Sequence, residues 1–270
     1  MQLTRSFSAL GRIVREDAAF RRLGRPPGWS VLFHYAGRWY DRRGRLMPRR
    51  RVSFTDRGRR IEFEMTDRYL GAFKGVFVDR EYDCADRLPV PPRRILDLGG
   101  NIGFGSVFFA GLFPKAVFGV VEPDPRNLPL LRRNLEINGV AAQVVEGAIG
   151  AEAGSLQLRF GRDPTCSSLA GTGMHDLSDT VRVDLTTVPQ VLENLGWDKV
   201  DLLKIDIEGA EDDLLSRHND WLERVGAILM EIHPNTTAER LNRCVAPHGF
   251  TLERFGSGRE PVYLAVKRTA

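Results

Sequence analysis

Two stretches carry residue types that can do chemistry. The first is ILDLGGNIGFG at 95–105, where a short apolar run meets an acid, then glycines, then the apolar start of a helix. Its positions Asp97, Gly99, Gly100, Asn101 and Gly103 cannot be laid on the G-x-G-x-x-G of a dinucleotide loop, which counts against a nicotinamide dehydrogenase. A carboxylate opening the loop suits an ammonium group better than a pyrophosphate. Bare glycine backbone lets a ligand lie close, and helix-start N–H groups receive a carboxylate. A ligand with both an amine and a carboxylate is an amino acid. The next apolar run ends FGVVEPD, and its Glu122 stands 19 residues beyond Gly103, where an acid grips ribose hydroxyls. An amino-acid tail joined to a ribose describes S-adenosylmethionine. Further on, EGAIG sets Glu146, Gly147 and Ala148 near the place an adenine would take.

The second stretch is DLLKIDIEG at 201–209. Residues two apart share a face of a strand, so Lys204, Asp206 and Glu208 point one way and Leu203, Ile205 and Ile207 the other. Charges along one side of an apolar strand are costly unless paired or open to a cleft. At a strand end beside a methyl donor, Asp206 and Glu208 read as catalytic; Lys204, farther back, fits a structural ion pair equally well. The same parity puts Glu231 and His233 of AILMEIHP together. An ordinary imidazole pKa near 6.5 suits His233 to accept a hydroxyl proton. Oxygen-rich groups of this kind also suit magnesium or calcium, but no tight spacing demands an ion, and the expectation is no metal.

These residues need elements to hold them. Candidate strands are ILDL (95–98), AVFGVVE (116–122), AQVVEG (142–147), DLLKIDI (201–207) and AILMEIH (227–233), with FTLERF and PVYLAV near the end. Helical stretches lie between them: GSVFFAGLF, RNLPLLRRNLEIN and AEDDLLSRHNDWLERV. The last sets Leu214, Leu215, His218, Leu222 and Val225 on one face, making His218 a core residue, with acids in the first turn as a helix dipole favours. Strands alternating with helices predict an α/β, doubly wound, mostly parallel sheet with an antiparallel C-terminal strand, and ligands outside the strands' carboxyl ends. Upstream, RVSFTDRGRRIEFEM (51–65) alternates about a D-R-G turn, a hairpin signal. Leu3, Phe7, Leu10 and Val14 suggest one amphipathic helix. Prolines at LPVPPRR divide the chain into a basic extension (1–88), a candidate substrate cover, and a cofactor-binding domain (89–270). GSLQLRF reads as an extra hairpin before a polar loop, DPTCSSLAG (163–171), a candidate lid.

The blocks DLGGNIGFGS, VVEPDPRNLPLLRRNLEINGV, VVEGAIG, DLLKIDIEGAE and ILMEIHP, in that order over roughly residues 80–235, resemble the FkbM-type S-adenosylmethionine-dependent methyltransferases. The resemblance implies a class I Rossmann-like fold and S-adenosylmethionine held at Asp97, Gly99, Gly100, Asn101, Gly103 and Glu122, with Gly147 and Ala148 beside it. It also implies methyl transfer to oxygen on a sugar, glycan or secondary metabolite; the residues themselves suggest that Asp206 or His233 takes the hydroxyl proton while Glu208 orients the acceptor. Ser167 and Ser168 are candidate substrate contacts on that resemblance; Tyr82, just before the matching blocks, and Lys204 and Glu231, by strand parity, are candidates for the same cleft. Pro129 departs from the pattern by falling inside a helix, which suggests a helix start near Asn127.

Composition bounds the rest. The chain has 270 residues, 42% hydrophobic and 27% charged, enough for a real core. No run approaches the roughly 20 apolar residues of a membrane span, and no secretory signal is read at the N-terminus. Three cysteines, Cys84, Cys166 and Cys244, form no C-x-x-C pair, so a reducing, cytoplasmic setting is the default. Residues 1–94 hold 22 Lys+Arg against 11 Asp+Glu, and 95–270 hold 17 against 24. That split admits an anionic partner or peripheral membrane contact, but a solvated arginine-rich surface is the simpler expectation. A nucleic-acid methyltransferase is disfavoured because DIEG stands where amino-directed enzymes carry a D/N-P-P-Y-like motif. A non-catalytic cofactor-binding protein is the other rival. Oligomeric state is not written in the sequence.

Overall fold

The computed structural model describes residues 49–160, 167–169, 180–256 and 261–268; the expected N-terminal helix lies outside them. The alternating segment folds as expected into an antiparallel hairpin of β1 (Arg50–Asp56) and β2 (Arg59–Met65), with Val52 opposite Phe63 and Phe54 opposite Ile61. Arg57 and Gly58 both have positive φ (48° and 79°), the two-residue turn whose twist matches its strands. A run of irregular helical turns at 67–79 follows.

From residue 94 the chain alternates strand and helix. β3 (Arg94–Leu98), α1 (Phe104–Leu112), β4 (Val117–Glu122), α2 (Leu128–Ile137) and β5 (Ala142–Glu146) lie in succession. Pro129 sits in the first turn of α2, where no helical hydrogen bond is lost, and Asn127 stands at the N-cap position without a side-chain capping bond. Next come β6 (Ala148–Ile149), β7 (Gly154–Phe160), β8 (Ser167–Leu169) and β9 (Thr180–Thr186), which form a second, four-stranded sheet in the order β6-β9-β7-β8. The GSLQLRF segment therefore pairs with two partners, and Ser167 and Ser168 belong to a strand. The remainder is α3 (Val188–Leu195), β10 (Leu202–Ile205), α4 (Glu211–Ser216), β11 (Ala227–Glu231), α5 (Ala238–Val245), β12 (Glu253–Phe255) and β13 (Val262–Val266).

The main sheet has the order β12-β13-β11-β10-β3-β4-β5. β11, β10, β3, β4 and β5 run parallel, and β13 is antiparallel to both its neighbours. Strand order reverses between β3 and β10, which opens a crevice at their carboxyl ends. This is the expected Rossmann-like, doubly wound α/β architecture, mostly parallel with one antiparallel strand near the C-terminus. One face of the sheet buries Ile95, Phe118 and Leu229 with α1, α2 and the hairpin; the other buries Leu96, Leu98, Leu203 and Ile205 with α3, α4 and α5.

One expected helix is two. α4 stops at Ser216, and a short 3₁₀ turn occupies Asp220–Arg224. His218, expected in the core, takes φ +50° at the break and lies exposed beside Glu152. A continuous helix would bury that imidazole among Leu214, Leu215 and Leu222; breaking it keeps the leucines inside and lets the polar ring out.

Candidate active site

The crevice is a cleft with about 650 Å³ of empty space, its open mouth included. Its walls come from the ends of β3, β4, β5 and β10 and from β6 and β7 of the second sheet. Gly99, Asn101, Glu122, Gly147, Ala148, Asp206 and Glu208 line it, all expected, together with Pro123, Asn127, Ile149, Leu158, Ile207 and Ala210, which were not. Asp97, Gly100 and Gly103 lie outside this lining.

The glycine loop is bare for two reasons. A Cβ on Gly99 would stand 1.8 Å from the Asp206 carbonyl oxygen, so the ends of β3 and β10 meet only if residue 99 has no side chain. Gly99 also takes φ +83°, a region that favours glycine. A Cβ on Gly100 would strike Val120. Close packing therefore requires these glycines before any ligand does. Asp97 is wholly buried, accepting a hydrogen bond from Ser106 Oγ at 2.7 Å and pairing with Lys204 Nζ at 3.0 Å. Lys204 also donates to the Gly99 carbonyl at 2.8 Å and stands over the Tyr82 ring. Burial opposes its charge, but Asp97 and Asp206 overcome that and hold the ammonium above its usual range. Lys204 thus braces the loop from inside.

Glu122 ends β4 as expected. One carboxylate oxygen accepts the Asn101 N–H at 2.7 Å; the other accepts the Asp124 N–H at 2.9 Å and the Asn127 amide at 3.0 Å. Burial pushes its pKa up to about 7 despite those donors. Beside it, Asn101 takes φ +50°, and among the described residues its buried Oδ1 has no partner. An acid edge, an orphaned amide oxygen and a glycine-walled cleft fit the sugar and the polar tail of S-adenosylmethionine.

Next to this cleft the structure gathers Asp206, Glu208, Glu231 and His233. β10 ends at Ile205, so strand parity sets Lys204 and Asp206 together, 3.4 Å apart. Glu208 then enters the left-handed region at φ +52°, and the turn swings it across to His233. His233 Nε2 lies 3.5 Å from Glu208, 3.8 Å from Glu231 and 3.9 Å from Asp206. Its Nδ1 is 2.8 Å from Glu211, a wholly buried acid read in the sequence only as dipole-favoured. Burial and the Asp206 charge hold Glu208 and Glu231 above the usual carboxylate range. Burial would lower His233, but the Glu211 hydrogen bond and the surrounding acids raise it. Tyr82 is buried, stacks on Phe109 and donates to Asp206 Oδ2 at 3.1 Å. Ser167 and Ser168 lie on β8 opposite Phe160 and Arg159.

Residues 97–254 match a family described as the Methyltransferase FkbM domain. Methyltransferase 1 of Beauveria bassiana (strain ARSEF 2860) is 29% identical over 176 residues, covering 56% of this chain and 70% of that protein. The 31-O-demethyl-FK506 methyltransferase FkbM of Streptomyces tacrolimicus is 26% identical over 235 residues, covering 73% and 89%. Among solved structures, precorrin-6y C5,15-methyltransferase from Geobacter metallireducens GS-15 aligns at a TM-score of 0.46 and 13% identity, covering 71% of this chain and 89% of that one.

Proposed function

The chain belongs to the FkbM-type methyltransferases and uses S-adenosylmethionine; from that premise we propose that it methylates a hydroxyl of a small sugar, glycan or secondary metabolite. What carries this reading is that one cleft is lined by Glu122, suited to a ribose, and by Asp206 and Glu208, suited to an acceptor. The relative named for a 31-O-demethyl-FK506 substrate supports an oxygen acceptor.

When bound, the cofactor supplies a methyl group already activated on a sulfonium, so the protein must align an acceptor and remove its proton. Glu122 accepts the ribose hydroxyls, Asn101 and the loop backbone receive the amino-acid tail, and Gly147 and Ala148 border the base. Asp97, held by Lys204 and Ser106, acts on the loop's shape from behind. Asp206 takes the hydroxyl proton, because the acids around His233 favour its charged form, which has no lone pair to offer. Tyr82 is a positioning residue, because its hydroxyl fixes the Asp206 carboxylate. The density of acids disfavours acceptors that bring phosphate to this corner, since like charges repel strongly where water is scarce.

Asp206→Asn keeps the Tyr82 hydrogen bond but removes the charge. Calorimetry should find S-adenosylmethionine binding within a few-fold of the parent, while transfer to a hydroxyl acceptor falls by roughly 10²-fold or more. Unchanged turnover would remove Asp206 from the chemistry. Product analysis of labelled methyl on nitrogen would overturn the oxygen-directed reading.

A further inference from the structure

Resting on that reading of the cleft, we propose that Asp206, Glu208 and His233, with Glu231 beside them, form a divalent-cation site of the manganese or magnesium type whose free positions face the acceptor. The ligand atoms of Asp206, Glu208 and His233 all lie within 4.8 Å of one another. Three carboxylate oxygens surround one imidazole nitrogen at 3.5–3.9 Å, at or beyond the limit of a hydrogen bond. The set is slightly wider than a filled site: with bonds of about 2.1 Å, octahedral ligand atoms stand roughly 3.0 Å apart when adjacent and roughly 4.2 Å when opposite, so an ion would draw these oxygens inward by less than about 1 Å.

A second observation points the same way. Glu211 has no exposed surface; its Oε1 holds His233 Nδ1 and accepts the Gly209 N–H, while its Oε2 has no partner among the described residues. A buried carboxylate behind Nδ1 fixes the ring's orientation and leaves Nε2 free as a ligand, the arrangement that supports metal-bound histidines. It also adds negative charge to a corner whose neighbouring cation, Lys204, is shared among Asp97, the Gly99 carbonyl and Asp206 Oδ2, which leaves Asp206 Oδ1 as the oxygen facing His233. A donor set rich in carboxylate with one imidazole favours manganese or magnesium over a thiolate-loving metal. Asp206 and Glu208 line the cleft, so an ion between them and His233 would take an acceptor hydroxyl as a further ligand and ease passage of its proton to the Asp206 carboxylate, His233 then being a ligand and not the base.

The test uses the whole chain, stripped with EDTA and titrated with manganese chloride alone, free ion being followed by electron paramagnetic resonance. The expected result is one manganese per chain, with affinity at least about tenfold weaker in Glu208→Gln and in His233→Ala. Glu208 lies at a partly exposed turn, and circular dichroism would confirm that its variant folds. Absence of stoichiometric binding overturns the site, as does binding unchanged in both variants. A corner built for the ammonium of an amino sugar would give that negative result. Calorimetry with S-adenosylmethionine on the same sample separates the readings: cofactor binding without manganese binding sinks the ion and leaves the methyltransferase cleft standing.

Discussion

Glu122 shows how one residue can carry a cost in the empty protein for a gain in the complex. Its carboxyl is buried, and its pKa is pushed up to about 7. In the window from its ordinary value to about 7, the folded chain binds a proton that the unfolded chain has released. Stability from this group is therefore greatest at acid pH and shrinks as pH rises through that window, by up to about 3 kcal/mol. Urea unfolding of the cofactor-free protein at pH 5 and pH 8 should show this slope, and Glu122→Gln should reduce it by that share, the remainder belonging to Glu208, Glu231 and His233, which are also held above their ordinary values. The same variant should bind S-adenosylmethionine roughly 10- to 100-fold more weakly, because it loses a charged acceptor. A wild-type slope retained in the variant would assign the effect elsewhere.

At the scale of elements, α2 fastens the hairpin to the sheet through two asparagines one turn apart. Asn134 Oδ1 accepts the Glu64 N–H at 2.8 Å, and its amide donates to the carbonyls of Ile102 and Glu64. Asn138 treats Glu62 the same way, accepting its N–H and donating to its carbonyl. The two side chains thus satisfy the edge of β2 as a neighbouring strand would, which also leaves that edge less open to a stranger. Asn134→Ala strands a buried N–H and carbonyls together, and should cost about 2–4 kcal/mol in urea unfolding. A change below about 0.5 kcal/mol would mean that water replaces the amide at no loss. The spacing N-x-x-x-N was readable in RRNLEINGV, but nothing local said that a strand 70 residues upstream would meet it. The capping box of α3, Thr187 with Gln190, was a readable signal for a helix that apolar periodicity had passed over.

Across the whole molecule, the hairpin and the sheet share one aromatic core. Phe63 meets Phe104 of α1 edge-to-face at 4.7 Å, and Phe77 meets Phe54, Phe63 and Phe108 within 5.7 Å. A chain beginning at residue 89 would bare Phe104 and Phe108, and we expect it to be insoluble. In the intact chain Phe63→Ala should cost about 3–5 kcal/mol and lower a single unfolding transition. Two separate transitions would show that the division at 88 and 89 is energetically real. Among the described residues no helix is long and apolar enough to cross a membrane.

Order along the chain was enough to reveal the parallel sheet, the hairpin, the glycine loop, and Glu122 and Asp206 on the cleft, because strand parity and glycine spacing are local properties that survive folding; Glu208 reaches the cleft through a left-handed turn after the strand has ended. Distances between elements were not. The structure alone drew Asp97 and Lys204 inward, set Tyr82 against Asp206 across 124 positions, broke the helix at His218 and put Glu211 behind His233. Those outcomes depend on which apolar surfaces must be covered and which buried charges must find partners. Both are decided only when distant segments compete for the same interior space.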